Sequence, residues 1–205
     1  MTWTLPNVLT VLRLLAAPMV AVMFLFFYRP WADWLALTLF IGAAVTDYFD
    51  GYLARAWKQE SKFGAMLDPI ADKAMVLIAL LVVTGFSGMN PWILLPATLI
   101  FFRETFVSGL REFLGDKAGT LKVTKLAKWK TTFQMVSIGI LFLGTGLDYV
   151  ALGGADPHGL ARVSEGPAGW ATFLGVALLW VAAALTLATG WDYFRKALPF
   201  LKGPK

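Results

Sequence analysis

Six long, mostly apolar runs, at residues 8–28, 34–52, 63–86, 92–114, 131–150 and 169–191, dominate this chain of 205 residues. Each has about the 20 residues that an α-helix needs to cross the hydrocarbon core of a bilayer. The runs are continuous and rich in Leu, Ala, Met and Phe. A membrane barrel would instead need short alternating strands separated by turns. The expected fold is therefore all-α: a polytopic membrane protein with six transmembrane helices, read as a single transmembrane domain over 1–205, because the remainder is too short for a soluble one. Composition agrees, with 58% hydrophobic and 15% charged residues, a balance that excludes both a water-soluble domain and a disordered chain. The chain has no Cys, which excludes disulfides and thiol chemistry, and its single His, His158, excludes a His-rich zinc centre or a His-paired triad.

Sorting the connections by charge orients the spans. One set of ends carries 16 of the 18 Lys and Arg residues, and the other carries only Arg29 and Arg162. By the positive-inside rule both termini are cytoplasmic. Trp3, Trp31, Trp34, Trp92, Trp129, Trp170 and Trp191 fall near the expected interfaces, as an aromatic belt does. Residues 2–5, ahead of the first span, read as a short N-terminal interfacial helix. The first span is too long for a signal-peptide core and has no basic segment before it, and the lack of a transit segment favours a bacterial inner membrane. The basic stretch 116–130, with five Lys, suits anionic headgroups. The loop 151–168, with His158, shows no chemistry.

Against this apolar background stand four acids, Asp47, Asp50, Asp68 and Asp72, in the second and third runs. Ionisable groups in a span cost about 2.5–3.5 kcal/mol each at the helix centre, less near the ends. Asp47 and Asp50 are i,i+3 and Asp68 and Asp72 are i,i+4, so each pair shares a helix face. In an antiparallel hairpin, residues of equal depth have a constant index sum, and Asp47 with Asp72 gives 119 while Asp50 with Asp68 gives 118. The pairs are thus expected level with each other across a helix interface. Such a patch repels itself unless cations bridge it. All-oxygen ligands suit Mg²⁺ or Mn²⁺, and four charges match two divalent ions. Mg²⁺ is commonly completed by substrate phosphates, so a phosphate-bearing substrate is expected. Gly51, Ala54 and Gly64 leave room beside the acids for a ligand. The competing reading is a set of helix-end acids paired with Arg55, Lys58, Lys62 and Lys73.

These residues form Asp47-x2-Asp50-Gly51-x2-Ala54-Arg55-x8-Gly64-x3-Asp68-x3-Asp72. The pattern resembles the signature of the CDP-alcohol phosphotransferases at all eight fixed positions. Three further stretches are similar to the phosphatidylglycerophosphate synthases of that family: Leu5-Pro6-Asn7-x2-Thr10-x2-Arg13, Arg103-Glu104-x3-Ser108-Gly109-Leu110-Arg111-Glu112, and Lys128-Trp129-Lys130-Thr131-x2-Gln134. The resemblance runs from about residue 5 to 193 and is weakest in the loop 151–168.

The resemblance implies transfer of a phosphatidyl group from CDP-diacylglycerol to sn-glycerol 3-phosphate, releasing CMP and phosphatidylglycerophosphate. It implies six transmembrane helices with an interfacial N-terminal helix, a homodimer, and a site near the cytoplasmic face. Asp47, Asp50, Asp68 and Asp72 would hold two Mg²⁺ or Mn²⁺ ions, with Asp72 also the general base. Asn7, Thr10, Gly51, Ala54, Arg55, Ser61 and Gly64 would contact CDP-diacylglycerol. The acceptor's phosphate needs a cationic pocket of its own, for which Arg103, Arg111 and Lys128 are the candidates, with positive-inside anchoring as the plainer alternative. No nucleic-acid partner is expected. A cardiolipin or phosphatidylinositol-phosphate synthase would share the signature. A prenyltransferase would place its acids on separate helix pairs, and a cation transporter would place them near the midplane.

Overall fold

The computed structural model describes residues 4–57, 61–120, 125–153 and 167–201, and every regular element among them is helical. The described residues form six α-helices: α1 (Leu5–Phe26), α2 (Trp31–Ala56), α3 (Lys62–Phe86), α4 (Pro91–Leu114), α5 (Lys125–Ala151) and α6 (Pro167–Leu201). A short 3-10 turn, Gly115–Thr120, follows α4. The helix ends are written in local chemistry. Ser61 caps α3 by accepting from Gly64 N at 2.9 Å, and Asn90 caps α4 by accepting from Trp92 N at 3.0 Å. Gly115 stops α4 with a positive φ of 51°, a conformation that costs glycine nothing.

Among the described residues, four helical stretches are long and apolar enough to cross a membrane: Leu5–Phe26, Pro91–Leu114, Trp129–Ala151 and Gly169–Leu201. The other two, α2 and α3, have 26 and 25 residues and carry the acids. Of the expected interfacial start, Leu5 is already the first residue of α1 and Thr4 its N-cap, while residues 1–3 lie outside the described ones.

The core is built of small and aliphatic side chains, among them Ala17, Val20, Phe40, Met75, Ala79, Ile138, Leu141 and Leu179. Where α5 meets α6 the backbones come close: a Cβ on Gly144 would meet Thr172 Oγ1 at 2.8 Å, and one on Gly175 would meet Leu141 Cδ2 at 2.8 Å. Small residues at crossings are what helix packing in lipid requires. The outer faces are apolar, with Leu12, Leu81, Phe102 and Phe173 all more than half exposed. Trp31, Trp92, Trp129 and Trp170 are also exposed, near helix ends, and Trp191 is exposed within α6.

Two polar clusters mark opposite ends of the bundle. At one, Arg29 pairs with the fully buried Asp33 (Nη2 to Oδ1, 2.7 Å) and donates to the Thr145 carbonyl at 2.8 Å. Its guanidinium stacks 4.8 Å from the Tyr149 ring centroid and 5.9 Å from that of Phe86. This clamp joins the start of α2 to the ends of α3 and α5. The acids sit at the other end.

The helix order departs from a simple hairpin. α1 packs along both α2 and α3, whereas among the described residues α2 and α3 make at most marginal contact. The expected acid-to-acid interface is therefore filled by a third helix. The physical reason is visible on α1, whose buried face begins Asn7, Thr10, Arg13 and continues Ala17, Val20. Its first turns are polar where they meet the acids, and its later turns are small where they meet the core.

Candidate active site

Asp47 on α2 and Asp72 on α3 meet at one atom. Arg13 Nη1 donates to Asp72 Oδ1 at 2.6 Å and also to Asp47 Oδ1, while Nη2 lies 4.0 Å from Asp68 Oδ1. The arginine is buried, at 3% exposure, yet the three carboxylates are each about half exposed. Positive charge is thus on the protein side of the cluster and open carboxylate surface on the other. Thr10 completes the protein side, its Oγ1 lying 2.8 Å from Asp68 Oδ1 and 3.1 Å from the Pro6 carbonyl.

Below the acids, the start of α3 is tied to α1. Ser61 Oγ donates to Asn7 Oδ1 at 2.7 Å while accepting from Gly64 N. The contact is tight enough that a Cβ on Gly64 would meet Asn7 Oδ1 at 2.8 Å. Glycine is required here by close approach rather than by backbone angle.

Asn7, Thr10, Ser61, Gly64, Asp47, Asp68 and Asp72 therefore form one contiguous site. Gly51 lies on α2, but the side chains of Asp50, Ala54, Arg55 and Lys128 are not among the described ones, and His158 lies outside the described residues. Lys73 turns away from the acids and donates to Ser108 Oγ on α4.

The remaining cationic candidates are divided. Arg103 is partly buried against α6: its Nη1 donates to Glu104 Oε1 at 3.1 Å and its Nη2 to Thr189 Oγ1 at 3.3 Å. Gly190 makes room for it, since a Cβ there would meet Arg103 Cγ at 2.8 Å. Arg111, two turns on, is exposed in the last turn of α4.

Arg13 is the residue to which sequence reasoning assigned no role in the site. The available signal was an arginine spaced i,i+3 from Thr10 and i,i+6 from Asn7 within an otherwise apolar helix, so that all three share a face. Lys130, Glu104 and Gln134, all buried, were likewise visible only as matched motif positions.

The donor set suits hard divalent cations, because it offers only carboxylate oxygens with open surface. Among the described residues no three acids close around a metal-sized space, since the guanidinium of Arg13 lies between Asp47 and Asp72. What the arrangement offers chemically is an anionic, half-exposed carboxylate surface backed by the buried Arg13.

Comparison with known proteins adds to this geometry. A protein of Cereibacter sphaeroides named CDP-diacylglycerol–glycerol-3-phosphate 3-phosphatidyltransferase is 68% identical over the whole of both chains. Proteins of the same name from Rickettsia bellii and Escherichia coli are 38% and 36% identical, over 93% and 96% of each chain. Residues 3–188 match the family described as CDP-alcohol phosphatidyltransferase. The acids of α2 and α3 are the core of that family's pattern as read above, and the chain belongs to the CDP-alcohol phosphatidyltransferase family.

Proposed function

We propose that this protein transfers the phosphatidyl group of CDP-diacylglycerol to sn-glycerol 3-phosphate, forming phosphatidylglycerophosphate and releasing CMP. The observation that carries the reading is the convergence of Asp47 and Asp72, from two helices, on Arg13 from a third. The full-length relatives named for this reaction support the choice of acceptor. A lipid donor is also supported by an apolar groove of about 640 Å³ between α2 and α5, lined by Leu37, Phe40, Ile41, Val45, Phe49 and Met135. It begins two residues from Asp47 and is walled by side chains compatible with acyl chains.

In this reading Asp47, Asp50, Asp68 and Asp72 hold two Mg²⁺ or Mn²⁺ ions. When bound, such ions neutralise the diphosphate and the charge that develops on the leaving nucleotide. Asp72 takes the proton of the acceptor's primary hydroxyl as that oxygen attacks the phosphorus bearing diacylglycerol. The new P–O bond forms as the bond to the CMP oxygen breaks, with no covalent enzyme intermediate. Arg13 and Thr10 hold Asp72, Asp47 and Asp68 in place from behind. Asn7, Thr10, Gly51, Ala54, Arg55, Ser61 and Gly64 receive the CDP moiety, with Arg55 as a fork for phosphate. Arg103, Arg111 and Lys128 receive the acceptor's phosphate.

The protein works as a single transmembrane domain over 1–205, assembled as a homodimer in the inner membrane. It has six spans, an interfacial N-terminal segment, both termini in the cytoplasm, and the site near the cytoplasmic face. Support for that orientation is the 16-to-2 distribution of Lys and Arg, whose rich side is the acid end of the bundle.

The deciding experiment supplies the purified protein with CDP-diacylglycerol, radiolabelled glycerol 3-phosphate and Mg²⁺. Release of CMP and a labelled lipid is expected. CMP release that is driven by phosphatidylglycerol or inositol phosphate, but not by glycerol 3-phosphate, would reassign the acceptor.

A further inference from the structure

Arg13 does more to the acids than hold them in place, because it also changes how much positive charge they can accept. Its side chain is 2% exposed, while those of Asp47, Asp68 and Asp72 are each about half exposed. Nη1 donates to Oδ1 of both Asp47 and Asp72, and Nη2 lies 4.0 Å from Asp68 Oδ1. The guanidinium has no route to solvent, since α1 packs along both α2 and α3 and its buried face runs on through Ala17 and Val20. An arginine also keeps its charge at any pH the protein meets. The site therefore carries a built-in cation that it can neither release nor neutralise.

The net charge left for ligands follows from these few groups. Three carboxylates and one guanidinium leave two negative charges. Asp50 and Arg55, both on α2, are opposite in sign and leave that sum unchanged. One divalent cation therefore neutralises the site. A second would stand beside Arg13 and the first ion with nothing to offset it, where water screens it from one side only. The diphosphate diester of CDP-diacylglycerol carries two negative charges, which is the amount a second ion needs.

We propose that Arg13 makes the site take up its second divalent cation only together with the diphosphate of the lipid donor. The inference rests on the two-ion reading of the proposed function. Without Arg13 the acids would have one further negative charge with which to hold that ion unaided. With it, the donor's own charge completes the centre that acts on the donor. Arg13 is thus a positioning residue whose charge couples metal loading to donor binding, in addition to joining α2 to α3.

The test counts Mn²⁺ bound to the full chain in detergent micelles, from the paramagnetic resonance signal of the free ion. It is run with and without CDP-diacylglycerol and with no acceptor, and protein-free micelles of the same composition set the baseline. Wild-type protein is expected to hold one ion per chain alone and two with the donor. Arg13→Gln keeps a hydrogen-bond donor but loses the charge. Without CDP-diacylglycerol it is expected to bind the second ion about 10- to 100-fold more tightly than wild type, the order expected of one charge acting on a nearby divalent ion. Arg13→Lys retains the charge and is expected to follow the wild-type count. Mn²⁺ alone is also expected to raise the melting temperature of Arg13→Gln more than that of wild type. Two ions held equally tightly by wild type with and without the donor would overturn the inference, and that comparison needs no variant to fold. An unchanged second-ion affinity in Arg13→Gln, or an equal rise in melting temperature, would overturn it as well. Wild-type protein that binds no Mn²⁺ under either condition overturns the two-ion reading instead.

Discussion

Arg13 Nη1 lies 2.6 Å from Asp72 Oδ1 and donates through the same nitrogen to Asp47, so a single guanidinium on α1 joins the acids of α2 to those of α3. The arginine is buried while the acids stay half open. It neutralises the cluster from the protein side and leaves the other side to ligands.

Replacing Arg13 with Ala is therefore expected to affect folding and turnover together. Breaking a fully buried pair costs about 3–5 kcal/mol, and the half-exposed acids reduce that to about 1–3 kcal/mol through solvent screening. Arg13→Lys keeps the charge but loses the planar fork, and is expected to fall between the two. Thermal unfolding in detergent and CMP release measure both effects. Wild-type melting and turnover in Arg13→Ala would remove its role as the link.

Gly64→Ala tests the joint between α1 and α3. The new Cβ would press on Asn7 Oδ1 at 2.8 Å and on Ser61 Oγ at 3.3 Å, disrupting the bond between them and the cap of α3. Loss of an N-cap costs about 0.5–2 kcal/mol. A lower melting temperature is expected, with KM for CDP-diacylglycerol rising more than KM for glycerol 3-phosphate. Steady-state kinetics with each substrate varied in turn give the comparison.

Asp33 lies at the far end of the bundle and is fully buried against Arg29. Asp33→Asn leaves that arginine without its counter-charge and is expected to destabilise the fold by about 3–5 kcal/mol. Neither KM is expected to change in the protein that remains folded. A selective change in one substrate's KM would show that this clamp communicates with the acid end.

Metal removal and Asp72→Asn address the chemistry directly. Chelation by EDTA is expected to stop CMP release, and Mg²⁺ or Mn²⁺ to restore it. Asp72→Asn keeps the shape and an oxygen for Arg13 to reach, yet cannot accept the proton. It is expected to lower kcat by at least about 100-fold, within the usual range for a general base, with the melting temperature little changed. Full activity in EDTA, or wild-type kcat in Asp72→Asn, would contradict the proposed mechanism.

Much of this molecule is legible without coordinates, because lipid imposes rules on sequence that are nearly local. Unbroken apolar runs must be helices, and an acid inside one must share a face with its i+3 or i+4 neighbour. The depth arithmetic held for the pair whose side chains are both described: Asp47 and Asp72, with an index sum of 119, meet at the same nitrogen of Arg13. Position along a helix axis follows from residue number alone.

Lateral arrangement does not follow from it. That α1 lies between α2 and α3 was decided by which helix offers a polar half-face matched to the acids and a small half-face matched to the core. The counter-charge expected from divalent ions alone is partly supplied by that helix. Glu104 and Lys130 are 26 residues apart on different helices, and no local pattern in either announces the other. Hydrophobic periodicity says how a segment folds and which residues share its faces. Only the packing of the helices against one another decides which charges are buried together, because that depends on contacts between residues remote in the chain.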